Sequence, residues 1–235
     1  MTGFPRGYKP EHFRRDQDLF HKWVRENHPN CVIVGPCTTD ASAVQMGPND
    51  KGGAGVGDVF PSCTTGELMD GCTEKLDVFR TLNELGEFAT VTDGVIFHNT
   101  LASSDYGFLQ HGTFEPRPNY FAALLWNTLM GTTVFDSGIE ISEGSHVFAH
   151  SRKDGKDGVA YLVINNSTTE ETVVTLPKDA DAYVLSADGL RARTMKLNGN
   201  DLVLGENDEL PALTPVKVAA GETKLAPATM AFYVM

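Results

Sequence analysis

Apolar positions along the 235 residues fall into two textures. From Glu11 to Asn27 the residues Phe13, Leu19, Phe20, Trp23 and Val24 recur at helical spacing with charges between them, which predicts an amphipathic helix. Pro10 suits its first turn, and Asn27-His28-Pro29-Asn30 ends it. Cys31-Val32-Ile33-Val34 reads as a short buried strand closed by Gly35-Pro36. A second helix is expected from about Cys72 to Phe88, with Leu76, Phe79, Leu82 and Leu85 on one side. It leads to another apolar run, Val95-Ile96-Phe97, also expected as a strand. Pro116 and Pro118 then introduce an apolar helix from Tyr120 to Met130 that Gly131 stops. Helices alternating with short apolar strands point to α/β units on a parallel sheet.

After Gly131 the texture changes. Residues 146–150, 158–164, 172–176, 182–185, 201–204 and 230–234 are short β-type runs. Asp154-Gly155, Asn165-Asn166, Asp188-Gly189 and Asn198-Gly199 separate them as turns. Repeated short strands with turn signals between them predict an antiparallel β-sandwich. The change of architecture lies near residues 132–141. Residues 36–66 fit neither texture: Gly47-Pro48 and Gly52-Gly53-Ala54-Gly55 sit in a stretch without strand or helix period, and no phosphate-loop motif is present.

Charge narrows the partners. A formal net charge of -12 argues against nucleic acid, because phosphate neutralisation needs Lys and Arg. No apolar run approaches the roughly 20 residues that cross a bilayer, and the opening Met-Thr-Gly-Phe-Pro carries no signal-peptide core. Cys31, Cys37, Cys63 and Cys72 lack paired zinc-ribbon spacing and read as reduced thiols, with disulfides as the alternative. His146 and His150 share one strand face with no third ligand near them, so a metal is not expected.

Candidate chemistry gathers after the run Val95–Phe97. His98 and Asn99 stand at its carboxyl end, where α/β enzymes present substrate-facing groups, and Asp105, Tyr106 and Gly107 follow on the loop. A tyrosine hydroxyl and neighbouring backbone N–H groups can hydrogen-bond a polar ligand, and the ring offers an apolar face. Asn119, Tyr120, Trp126 and Arg117 read as structural: Tyr120 and Trp126 face the core and Arg117 fits a salt bridge.

The segments HNTLASSDYG, FEPRPNYFAALLWNTLMGTTV and LNGNDLVLGENDELPAL closely resemble the heparanase and β-glucuronidase family of retaining glycoside hydrolases, and residues 3–36 are similar to a further family segment. The resemblance covers roughly residues 3–40 and 73–235. It implies a partial (β/α)8 barrel over residues 1–131, irregular at 36–66, followed by a β-sandwich over 132–235. It implies a two-carboxylate hydrolase of β-glucuronides or uronic-acid glycans, with no cofactor, whose members are often secreted, periplasmic or lysosomal. The acid/base glutamate of the family would precede the segment matching Gly3–Tyr8, so no residue here takes that role. Glu67, in Thr64-Thr65-Gly66-Glu67, is the candidate for the nucleophile, and Asp105, Tyr106 and Gly107 match the loop that meets the uronic acid. The polypeptide alone is therefore expected to be inactive, and uncovered barrel edges invite self-association. A non-catalytic carbohydrate-binding or structural protein on the same fold is the alternative.

Overall fold

A computed structural model describes residues 9–29, 74–91, 96, 98, 100–102, 107–139 and 144–235. Helix α1 (Pro10–Asn27) belongs to one compact unit. Helices α2 (Lys75–Val91) and α3 (Pro118–Leu129) belong, with all the described strands, to a second. In α1, Pro10 occupies the first turn, where its missing N–H costs nothing. The Asn27 side chain donates back to the Trp23 carbonyl at 2.8 Å and closes the last turn. The expected strand at 31–34, the loop of 36–66 and all four cysteines lie outside the described residues, as does most of the 95–97 run.

The strands are β1 (Met130–Phe135), β2 (Ser145–Arg152), β3 (Val159–Asn165), β4 (Thr172–Leu176), β5 (Ala180–Ser186), β6 (Lys196–Leu197), β7 (Asn200–Asp201), β8 (Val216–Val218), β9 (Gly221–Leu225) and β10 (Thr229–Val234). Eight of them form one antiparallel sheet in the order β1-β2-β3-β10-β5-β6-β7, with β8 sharing the free side of β5. The other two, β4 and β9, pair antiparallel as a separate ribbon. The last strand, β10, thus lies at the centre, between β3 and β5.

Strand periodicity explains the layering. The cross-strand row Phe148, Leu162, Phe232, Tyr183 faces one side of the sheet and Ala149, Tyr161, Tyr233, Ala182 the other. On the first side, Val78, Phe79 and Leu82 of α2 and Phe121, Ala122, Leu125 and Leu129 of α3 complete a core with the sheet. On the second, Val174 and Leu176 of β4 and Leu225 of β9 close a smaller one. Because both faces are covered, β10 is buried along its whole length, and its run of unbroken apolar character follows. The β architecture is therefore a broad antiparallel sheet between a helix pair and a two-stranded ribbon.

Three sequence expectations shift. The third helix ends at Leu129, and Gly131 stands inside β1 instead of stopping it. Met130 is already extended, and the β-branched Thr132, Thr133 and Val134 continue the strand. The reason for a glycine at 131 is proximity: a Cβ there would lie 2.6 Å from the Ser151 carbonyl oxygen of β2. Of the expected strand 201–204, only Asp201 pairs, while Leu202 turns into the core. Strands β8 and β9, which lack a clear alternation, were not anticipated. The Asn198-Gly199 turn joins β6 to β7 as expected, with Asn198 at φ 50. Its side chain accepts from the Val184 N–H at 2.9 Å and donates to the Ala182 and Thr214 carbonyls.

Candidate functional site

The described part of the loop region is a small backbone clip at the start of α3. Phe108 and Leu109 donate their N–H groups to the carbonyls of Thr100 and Leu101, at 3.2 and 2.8 Å. On the other side, Gln110 donates to Glu115 at 2.8 Å and Arg117 to Phe108 at 2.9 Å, with Leu109 bridging Pro116. Residues 107–110 are therefore pinned between 100–101 and 115–117. Pro118 then begins α3 with its φ preset for the first turn.

The Arg117 side chain closes the clip. It is 4% exposed, donates from Nη1 to the Gly107 carbonyl at 3.1 Å, and donates from Nε and Nη2 to Oε1 of Gln110 at 3.3 and 3.2 Å. Gly107 is buried, and its N–H makes no hydrogen bond among the described residues. The His98 ring stacks on Phe108, with centroids 4.1 Å apart and planes 23° from parallel. Of the residues singled out from sequence, His98 and Gly107 are thus brought to the same clip, one against Phe108 and the other next to it in the chain. Asn99, Asp105, Tyr106 and Glu67 lie outside the described residues.

Behind the clip, α2 and α3 meet through buried polar groups. Arg80 donates from Nε to Asp77 Oδ1 and from Nη1 to Glu84 Oε2, both at 2.6 Å, and Asn119 donates to Asp77 Oδ2 at 2.6 Å. Asp77 and Asn119 are essentially inaccessible. Burial pushes the Glu84 carboxyl above its ordinary range, with Arg80 pulling against it. The sequence reading missed this network, although Asp77, Arg80 and Glu84 stand at i, i+3 and i+7, the spacing of one helix face. The clip from Arg117 to Gly107 and Gln110 was likewise not anticipated.

Tyr120 and Trp126 pack against the helix-facing core. Trp126 meets His150 edge-on at 5.0 Å, and the Nδ1 of that histidine lies 2.8 Å from the Gly131 carbonyl. His146, two places before Phe148, shares that strand face. Among the described residues neither Nε2 has a hydrogen-bond partner, and burial lowers the pKa of each imidazole. Among the described residues no cluster of three or more His, Cys, Asp or Glu could hold a metal ion, and no helix is long and apolar enough to cross a membrane.

No family model matches the chain. Baicalin-β-D-glucuronidase of Scutellaria baicalensis is 31% identical over 194 residues, 79% of this chain and 36% of that protein. Heparanase-like protein 1 of Arabidopsis thaliana is 28% identical over 240 residues, 86% of this chain and 41% of that protein. Inactive heparanase-2 of Mus musculus is 26% identical over 181 residues, 67% and 31% of the two chains. The crystal structure of the GH51 arabinofuranosidase from Xanthomonas axonopodis pv. citri overlays 69% of this chain and 36% of its own at a TM-score of 0.45 and 14% identity, too slight an overlap to speak to fold. The chain spans roughly a third to two fifths of the length of these curated relatives. Through them it is related to the heparanase and β-glucuronidase family of glycoside hydrolases.

Proposed function

We propose that these residues form part of a glycoside hydrolase acting on β-glucuronides or uronic-acid-containing glycans, with α2 and α3 as closing helices of a (β/α)8 barrel and the sheet as its C-terminal sandwich. The observation that carries this reading is the likeness to a baicalin-β-D-glucuronidase across most of the chain. In a retaining mechanism one carboxyl group protonates the leaving oxygen, and a second, about 5–5.5 Å away, attacks the anomeric carbon. Glu67 is the proposed nucleophile. Asp105, Tyr106 and Gly107 are the proposed uronate contacts, through the phenol hydroxyl and backbone N–H groups, with His98 and Asn99 flanking them. The Gly107 N–H has no hydrogen-bond partner among the described residues, which is compatible with that role.

This reading assigns the general-acid role to no residue of 1–235, so negligible turnover is the outcome it predicts for this polypeptide by itself. Purified 1–235 incubated with an aryl β-glucuronide checks this: sustained release of the aglycone would overturn the prediction. If such activity were found and Glu67→Gln left it intact, Glu67 would not be the nucleophile. A non-catalytic glycan-binding role is the second reading, favoured by the likeness to inactive heparanase-2. The two part on an added general acid: only the enzyme reading predicts activity when a segment bearing such a carboxyl is supplied.

A further inference from the structure

We propose that Arg117 is a positioning residue for the sugar carboxylate, aiming the Gly107 N–H at it; this rests on the glucuronide reading above. Arg117 occupies the N-cap of α3, makes no side-chain cap hydrogen bond there, and is nearly fully buried. Local chemistry would choose Ser, Thr, Asp or Asn at that place, since their oxygens satisfy the free N–H groups of the first turn. A cation there also opposes the helix dipole, whose positive end it faces. A residue that breaks the local rule on both counts is held for another task.

That task is visible in the contacts. The peptide between Gly107 and Phe108 is gripped from both sides: its oxygen accepts from Arg117 Nη1, and its N–H donates to Thr100. The next carbonyl, Phe108, accepts from the Arg117 backbone N–H. Gln110 accepts from Nε and Nη2 through one oxygen, so the planar fork is held in orientation. With the plane after Gly107 held, rotation of the glycine is restrained on one side. That restraint narrows the directions open to the N–H of Gly107 before a ligand arrives, and preorganised donors bind anions better than free ones.

The test compares two sugars that differ at one group. Methyl β-D-glucuronide and methyl β-D-glucoside are titrated by NMR into 1–235, Arg117→Met and Arg117→Lys. The native chain is expected to prefer the glucuronide. In Arg117→Met the preference should fall about tenfold, the scale of one hydrogen bond to a charged group. In Arg117→Lys, which keeps a single donor and loses the fork, it should fall about threefold. Glucoside binding should hold within about twofold in both, because no carboxylate is involved. A preference unchanged in both variants, or an equal weakening for both sugars, overturns the proposal. Should Arg117→Met not fold, Arg117→Lys decides on the same criterion. A native chain that does not distinguish the two sugars removes the glucuronide reading itself, a result separate from failure of the variants.

Discussion

Gly86→Ala is expected to weaken the fold, although alanine is the better helix former. The glycine lies inside α2, where alanine would ordinarily add about 1 kcal/mol of stability. Here a Cβ would meet the Phe148 ring of β2, with Cε2 at 2.5 Å and Cγ at 2.6 Å. Because Cγ is among the atoms struck, spinning the ring about its own axis gives no relief; the whole side chain or the helix must move. Phe148 has little room, being 7% exposed and paired across the sheet with Leu162, which is fully buried. Overpacking of this kind costs about 2–3 kcal/mol at the upper end of its range. Subtracting the helix-propensity gain leaves a net loss of about 1–2 kcal/mol, or a Tm lower by roughly 2–8 °C for a domain of this size. Urea and thermal melts of Gly86→Ala, Phe148→Ala and the double variant make the assay. Phe148→Ala alone should cost about 3–5 kcal/mol. The new methyl fits the space that truncation opens, so the double variant should be better than additive by at least about 1 kcal/mol. Additive losses, or a Gly86→Ala protein as stable as the parent, would refute the seating of α2 on β2.

Asp77→Ala should be among the most damaging single changes, costing about 3–5 kcal/mol in a urea melt, because it strips buried Arg80 of a carboxylate partner and Asn119 of an acceptor. A loss below about 1 kcal/mol would show that the network is solvated. Stability should also fall on acidification: burial holds His146 and His150 below their unfolded pKa of 6.5, so the unfolded chain takes up protons first and the loss begins as pH drops through 6.5. His150→Asn, which can still donate to Gly131, should flatten the stability profile between about pH 7 and 5; an unchanged slope would clear His150. Glu84 acts in the opposite sense, its stabilising contribution being full below its unfolded value of 4.5 and fading as pH rises through the folded one.

Legibility followed the strength of the periodic signal. Helices α1 and α2 carry apolar positions at helical spacing, and strands β2, β3, β5 and β10 carry compact apolar runs, so these elements declare themselves in sequence. Strand β8 has three residues, two of them exposed, and β9 interleaves Glu222 and Lys224 with small residues, so neither offers an apolar stripe to read. The boundary at Leu129 was misplaced for a different reason. Gly131 has two possible meanings, a helix stop or a close approach, and only the position of Ser151 across the sheet decides between them. The same holds at the candidate site. His98 could be named from its place after the apolar run and Gly107 from the family resemblance, whereas the grip of Arg117 on a carbonyl ten residues away leaves no local trace.

The start of α3 shows how a locally poor choice is made tolerable. Arginine at its N-cap adds positive charge where the helix already presents one, a penalty of about 0.3–1 kcal/mol at an exposed site. Two places on, Asn119 draws the Asp77 carboxylate to within hydrogen-bond distance of the first turn, at 2.6 Å. That negative charge sits where the helix dipole favours it, and it offsets what Arg117 costs. Asp77 is held in turn by Arg80, which also holds Glu84, so the charges alternate in sign from α2 to the cap of α3. The Glu84, Arg80, Asp77 and Asn119 side chains therefore form one connected network that reaches the first turn of α3. Replacing Arg117 with a good N-cap such as serine would satisfy the helix and still release Gly107, which separates the needs of the helix from those of the site.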